Sequence, residues 1–182
     1  MERLLGGREV LLESMSKQIK GEDMQEFDFT APLHHQNVPN AREVRLILGD
    51  QLNHDHDWFQ SEPVENIFYV LMEVRTETDY AKHHIQKVIS FFGAMRLFAK
   101  KMQENGHRIF YLTPDDPRNL QSIPENLEWI CSQSLATSVS WQQADEYRMD
   151  QIMETWSQMC DRKGWAWSVV DSQHFFCQRE DL

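Results

Sequence analysis

The sequence predicts an α/β domain built on a five-stranded, parallel, doubly wound sheet flanked by helices. The first observation is that short apolar runs, rich in β-branched and aromatic residues, alternate with longer amphipathic segments. The second is that the segments between these runs are long enough to serve as crossovers, which parallel strands require. Crossovers of this kind cover both faces of a sheet, so the strands themselves should be buried.

Five apolar runs are predicted to form the strands. The first, residues 44–48, has a branched bias and ends at Gly49-Asp50, as a buried parallel strand does. The other four runs are residues 66–74, 108–113, 137–141 and 165–170. Together they predict a Rossmann-like sheet, in which ligands bind outside the carboxyl ends of the strands.

The longest predicted helix covers residues 78–105, where apolar side chains recur every three or four positions. Thr78 is the predicted N-cap, and Gly106 is predicted to end the helix.

Two further helices are predicted downstream. A short helix should lie within residues 119–134, and a longer one should cover residues 145–163. For the longer helix, Asp145 is the predicted N-cap and Gly164 the predicted terminator.

The domain boundaries follow from changes in composition. Residues 1–40 carry mixed charge, a weak helical pattern and a turn-rich stretch, so they predict a partly helical extension. The α/β domain should cover residues 41–172, and residues 173–182 should begin a connector to whatever follows.

The composition limits the function classes. A formal net charge of -11 makes the chain a poor non-specific binder of DNA on its own. Cys131, Cys160 and Cys177 form no CxxC pair and are too few for a four-thiolate cluster. No apolar run approaches the length of a membrane span, and no secretory signal is apparent. We therefore expect a cytoplasmic protein with reduced thiols and no membrane partner.

Residues that follow the predicted strands are the candidates for ligand contact, namely residues 49–51, 73–77, 113–116 and 142–148. Glu73 and Glu77 stand between a strand and a helix, where charges orient a polar ligand or simply pair with Arg75. Neither a GxGxxG nor a GxxxxGK[ST] motif occurs, and no nucleophile–base set is apparent. We predict no catalytic residue.

Two histidine motifs have ordinary explanations. His54 and His56, in the run HDHD, alternate with aspartates and could share one metal ion, but a solvated turn is the favoured interpretation. His83 and His84 point about 100° apart on a helix, so they cannot easily chelate one ion. His84 is predicted to be half-buried and hydrogen-bonded. We predict no metal site.

Four stretches resemble a known family: RLILGDQLNHDHDWF, VLMEVRTETDYAKHHIQKVISFFGAMRLFAKKM, GHRIFYLTPDD and QADEYRMD. They are similar to the amino-terminal domain of the deoxyribodipyrimidine photolyase-related proteins, the prokaryotic (6-4) photolyases or iron–sulphur bacterial cryptochromes and photolyases. The resemblance begins near Ala41 and extends to the end of the chain. LGDQL and the ExxxExxYxxHHxxK pattern, which spans Glu73 to Lys87, are specific in combination.

The resemblance implies that this domain binds an antenna chromophore, 6,7-dimethyl-8-ribityllumazine or a similar compound, which passes excitation energy to FAD. The implied pocket residues, with Glu73 added from its position after the second strand, are Gly49, Asp50, Gln51, Leu52, Glu73, Glu77 and Phe91. In the family, FAD, a [4Fe-4S] cluster and the surface for damaged DNA belong to a separate carboxy-terminal domain. The present sequence ends before that domain, so we do not expect DNA repair from this chain alone.

Three functions remain open from the sequence. The chain is an antenna domain, a chromophore-free interaction module or truncated remnant, or a small α/β enzyme acting on a nucleotide-like substrate. Besides a small-molecule chromophore, the expected partners are a second copy of the chain or a separate FAD domain. Exposed Phe175 and Phe176 would favour self-association.

Overall fold

The computed structural model describes residues 37–60, 63–79 and 84–175. Most of the predicted extension lies outside these ranges, as do Tyr80, His83, Phe176 and Cys177. Five parallel strands form one sheet in the order β3-β2-β1-β4-β5, with bounds β1 Glu43–Leu46, β2 Ile67–Met72, β3 Ile109–Leu112, β4 Ser138–Gln142 and β5 Ala166–Val170. The predicted α/β fold class is confirmed.

The central strand is β1, which pairs with β2 on one side and β4 on the other. Leu46 lies opposite Val70 of β2 and opposite Trp141 of β4. Since β1 has a neighbour on each side and helices over both faces, its apolar residues are buried, as the run at residues 44–48 predicted.

Three helices cover the sheet: α1 Ile85–Glu104, α2 Ile123–Ser134 and α3 Tyr147–Lys163. Helix α1 packs on one face, where Met95, Phe98 and Met102 meet side chains of β2 and β3. Helices α2 and α3 pack on the other face around Leu46, Val70 and Val139. Side chains alternate between the faces along each strand, so the two clusters form separate cores.

Helix α1 starts later than predicted. Thr78 is not its N-cap, because Thr78 follows a single 3₁₀ turn, Arg75–Glu77, and its hydroxyl donates to the Arg75 carbonyl. The N-cap is His84, whose Nδ1 accepts a hydrogen bond from the Gln86 amide at 3.3 Å. His84 is therefore hydrogen-bonded as expected, but it is exposed rather than half-buried.

Helix α3 also has a different N-cap from the predicted one. Its N-cap is Glu146, which makes no side-chain capping bond, and the Asp145 carboxylate bonds instead to Ser172 and His174. Both predicted helix ends are confirmed, since Gly106 and Gly164 have φ of +89° and +74°. This left-handed conformation costs glycine little and other residues more.

The topological switch point lies between β1 and β4. From β1 the chain leads to β2 on one side, whereas β4 lies on the other side and is reached only after β3 and α2. The carboxyl ends of β1 and β4 are therefore the place where a doubly wound sheet opens a crevice. Among the described residues, no helix is long and apolar enough to span a membrane.

Leu135 offers a test of local backbone strain. It ends α2 with φ of +59° and is 75% exposed, so it gains little from packing. We expect Leu135→Gly to stabilise the protein by about 0.5–1 kcal/mol, because relief of the left-handed strain exceeds the added entropy of the unfolded chain. Urea unfolding measures this, and Leu135→Ala, which keeps the strain, should give no comparable gain.

Candidate ligand-binding site

A pocket opens at the carboxyl end of β1. It encloses about 290 Å³ of empty space, part of it open to solvent. Gly49, Glu77 and Phe91 line it, although they come from the loop after β1, the turn after β2 and helix α1. The remaining wall is apolar and consists of Leu46, Ile47, Leu48, Met72, Phe92, Met95 and Ile123.

Gly49 allows the closest approach in this pocket. A Cβ atom at this position would lie 2.3 Å from Cζ of Phe91 and 3.0 Å from the sulfur of Met95. A real side chain cannot tolerate such a contact, so the Phe91 ring packs directly on the Gly49 backbone. Gly49 was predicted to contact a ligand, and in this structure the ring of Phe91 lies against its backbone.

Glu77 is the charged residue of the pocket lining and forms its polar rim, and Arg148 pairs with it from outside the lining. The Arg148 guanidinium donates to Glu77 Oε1 at 3.0 Å and lies 3.5 Å from Glu146 Oε2. The side chains of Glu77 and Arg148 are 21% and 30% exposed. Arg148 thus joins the turn after β2 to the first turn of α3 across the carboxyl edge of the sheet.

Asp50 follows Gly49 and lies beside two other carboxylates. The pKa of Asp50 is raised to about 6, mainly by burial and next by the charge of Asp145, with a smaller contribution from Glu77. A backbone hydrogen bond and the charge of His174 oppose this rise. This edge of the sheet is thus strongly acidic, and an additional anion would be repelled there.

Asp145 holds the segment that follows β5. Its carboxylate lies 2.6 Å from Nδ1 of His174 and accepts a hydrogen bond from the Ser172 hydroxyl at 3.2 Å. The hydrogen bond to Asp145 raises the pKa of His174. The start of the predicted connector is therefore bound to the same edge of the sheet as Asp50.

Gln51 and Leu52 face the interior of the protein. The Gln51 amide is fully buried, accepts from the Leu48 N–H, and donates to the carbonyls of Gln142 and Gln143 at 3.2 Å and 3.0 Å. Leu52 belongs to the core beneath α1. These two residues shape the loop after β1, whereas Gly49 lines the pocket.

Glu73 lies away from the pocket, in a buried polar cluster. Its carboxylate accepts two hydrogen bonds from Arg96, including 2.8 Å to Oε2, and one from the Tyr111 hydroxyl at 2.7 Å. Burial, and next the charge of Glu73, raise the pKa of Tyr111 well above its usual value. The cluster fastens α1, which carries Arg96, to β2 and β3.

The HDHD run is not the solvated turn that the sequence predicted. Asp55 and Asp57 are exposed, but His56 is only 1% exposed. Its Nδ1 accepts from the Trp58 amide at 3.1 Å and its Nε2 lies 2.9 Å from the Asp171 carbonyl. The His54 ring packs against Phe98, so the two histidine rings have different contacts.

Three residues at this edge were not singled out from the sequence. Arg148 and His174 reach the site through ion pairs with residues far away in the chain, and Gln142 is buried at the end of β4. The only sequence signal was position, because residues 142–148 were predicted to follow the fourth strand. No periodicity or spacing marks His174.

The geometry defines a class of protein, a doubly wound α/β domain with an apolar, acid-rimmed pocket at its switch edge. Such a pocket suits a planar ring with hydrogen-bond donors better than an anionic ligand. A profile of the family described as deoxyribodipyrimidine photo-lyase-related protein matches residues 45–182. The chain belongs to this family, as its resemblance indicated.

A curated relative is a protein described as (6-4) photolyase from Agrobacterium fabrum (strain C58 / ATCC 33970). It is 29% identical over 109 residues, which are 60% of the present chain and 22% of the relative. The chain thus spans about a fifth of the length of this relative.

The Glu73 cluster should dominate the stability of the site. Glu73→Gln is expected to lower the free energy of unfolding by about 3 kcal/mol, because it removes the buried carboxylate partner of Arg96. Tyr111→Phe should cost only about 1 kcal/mol, since it removes one neutral donor. Urea unfolding separates the two, and equal losses would contradict the central role of the ion pair.

Asp50 should make stability depend on pH. Its pKa is raised from 3.8 to about 6 in the folded state, so the folded protein loses stability as pH rises between these values. Asp50→Asn should therefore be more stable than the wild type at pH ~8 by up to about 3 kcal/mol, and should lose that advantage near pH ~4.

Urea unfolding at both pH values measures this difference. Asp145→Asn is the control because it removes the partner of His174 and one charge near Asp50. If Asp50→Asn and wild type show the same pH profile, the Asp50 carboxyl is ionised like any surface aspartate.

Proposed function

We propose that this chain is a photolyase-related antenna domain that binds a neutral light-harvesting chromophore of the ribityllumazine type. The observation that carries the proposal is the convergence of Gly49, Glu77 and Phe91 on one pocket at the carboxyl end of β1. Family membership supports it, because the resemblance in sequence implies that these three residues belong to the chromophore pocket of the family.

The pocket wall suits an aromatic ring. Phe91, Ile47 and Met95 offer apolar surface to the faces of a planar heterocycle, and aromatic rings gain most from such burial. Because the pocket volume includes open solvent, the enclosed space is smaller than a ligand of this size needs. Phe91 therefore has to turn away from Gly49 when the ring enters.

The rim suits a polyhydroxyl chain without phosphate. Glu77 accepts hydrogen bonds from hydroxyl groups, whereas a phosphate would meet the charges of Glu77, Asp50 and Asp145. Ribityllumazine and riboflavin carry neutral ribityl chains, while FMN carries a phosphate. We infer that the site binds the first two more tightly than FMN.

Asp50, Gln51, Leu52 and Glu73 complete the proposed site as supporting residues. Gln51 and Leu52 hold the loop that presents Gly49, and Glu73 holds helix α1 that presents Phe91. Asp50 adds negative charge at the rim.

The wider role belongs to the same proposal. FAD, a [4Fe-4S] cluster and contact with damaged DNA would be supplied by a region other than this α/β domain, on the same or another chain. Phe175, which is 64% exposed beside the site, would then face that region or a second copy. The buried, reduced thiols of Cys131 and Cys160 support a cytoplasmic location.

Titration with 6,7-dimethyl-8-ribityllumazine, followed by fluorescence, tests the proposal. Wild type should bind it, and Glu77→Ala should raise Kd about tenfold, because the variant removes an acceptor at the rim. Glu146→Ala is the matched control, since it removes a second partner of Arg148 that does not line the pocket.

Two outcomes would count against the proposal. Wild-type protein that binds neither the lumazine nor riboflavin has no antenna function. Turnover of a nucleotide substrate that is lost in Asp50→Asn would support the small-enzyme alternative instead.

A further inference from the structure

Gln142 has an unusual environment for a polar side chain. It is the last residue of β4 and is completely buried. Within the described parts of the chain, neither its amide nitrogen nor its amide oxygen has a hydrogen-bond partner. Burial removes water from these atoms without replacing the lost hydrogen bonds, so the group destabilises the empty domain.

Neighbouring buried amides do not share this defect. Gln51 makes three hydrogen bonds with the backbone, two of them to the carbonyls of Gln142 and Gln143. Asn126 bonds to Leu120 and Asn119. Among the buried amide side chains in the described part of the chain, Gln142 is the one without hydrogen-bond partners, and an external group could supply them.

The register places Gln142 next to the pocket wall. Because Leu46 lies opposite Trp141 on adjacent parallel strands, the following residues, Ile47 and Gln142, are neighbours on the same face of the sheet. Ile47 forms part of the pocket wall. Gln142 is therefore about one strand spacing, ~4.8 Å, from a residue that lines the pocket.

The chemistry of a carboxamide then defines what can bind to it. Its oxygen accepts and its nitrogen donates, so it pairs with a ring edge that carries an N–H beside a carbonyl. The pyrimidine-dione edge of lumazines and flavins has this pattern. Gln51 cannot serve in this way, since its amide is already bonded to the backbone of Leu48 and Gln143, just after β1 and β4.

We propose that Gln142 is a specificity-determining residue that hydrogen-bonds the N–H and C=O edge of the chromophore ring. This inference rests on the proposed function of the pocket. It assigns the ring edge to the β1–β4 side of the site and leaves the ribityl chain toward Glu77 and Asp50.

The test uses Gln142→Leu in the full chain, with two measurements. The empty variant should be at least as thermally stable as wild type, because an apolar side chain of similar size replaces an unsatisfied amide. Its Kd for 6,7-dimethyl-8-ribityllumazine should rise about tenfold or more. Gln51→Leu is the control, and it should lower the melting temperature because three hydrogen bonds are lost.

A lumazine methylated at the ring nitrogen of the dione provides the second half of the test. Wild type should bind it more weakly than the parent compound, whereas Gln142→Leu should bind both alike, since the bond in question is already absent. The non-additivity of these two changes identifies contact between Gln142 and the ring edge.

Three results would overturn the inference. Parent lumazine that binds Gln142→Leu as tightly as wild type excludes the contact, although the proposed function of the pocket would stand. A melting temperature that falls as far as in Gln51→Leu shows that the amide is structural. Wild type that binds no lumazine refutes the proposed function and the role of Gln142 together.

Discussion

The side-chain amide of Gln51 sets the geometry on which the site depends. Parallel strands β1 and β4 are paired up to Leu46 and Trp141, and the loop with Gly49 and Asp50 follows shortly afterwards. The Gln51 amide bridges the two strand ends, accepting from Leu48 on one side and donating to Gln142 on the other. With one accepted and one donated hydrogen bond, it links the ends of β1 and β4 as a backbone amide would. Because of this bridge, the loop bearing Gly49 and Asp50 has a fixed position.

A second interaction positions helix α1, which forms the opposite wall of the pocket. The first turns of α1 carry Phe91 beyond the main body of the core, where Ile85 and Ile89 are exposed. The bidentate pair between Glu73 and Arg96 anchors the helix one turn past Phe91, so an interaction inside the core positions an aromatic ring at its surface. Breaking a buried pair of this kind is costly, because the remaining charge is left buried without its partner.

The strands and the order of elements could be predicted from the sequence because apolar periodicity is local. The convergence of Gly49, Glu77 and Phe91 could be predicted as well, through the family motifs. The positions of His56, Gln51 and Glu73 could not, because their partners Asp171, Gln142 and Arg96 lie far along the chain. The predicted N-cap of α3 was wrong for a similar reason, since the Asp145 carboxylate is bound by Ser172 and His174 and not by its own helix.

Long-range bonds also fix the segment after β5. The loop after β1 holds this segment through His56 and Asp57, and the loop after β4 holds it through Asp145. The chain up to His174 is therefore held at the edge of the sheet that carries Asp50. A domain joined after this segment would be tethered at short range from that edge, so its effective concentration there would be high without any affinity of its own.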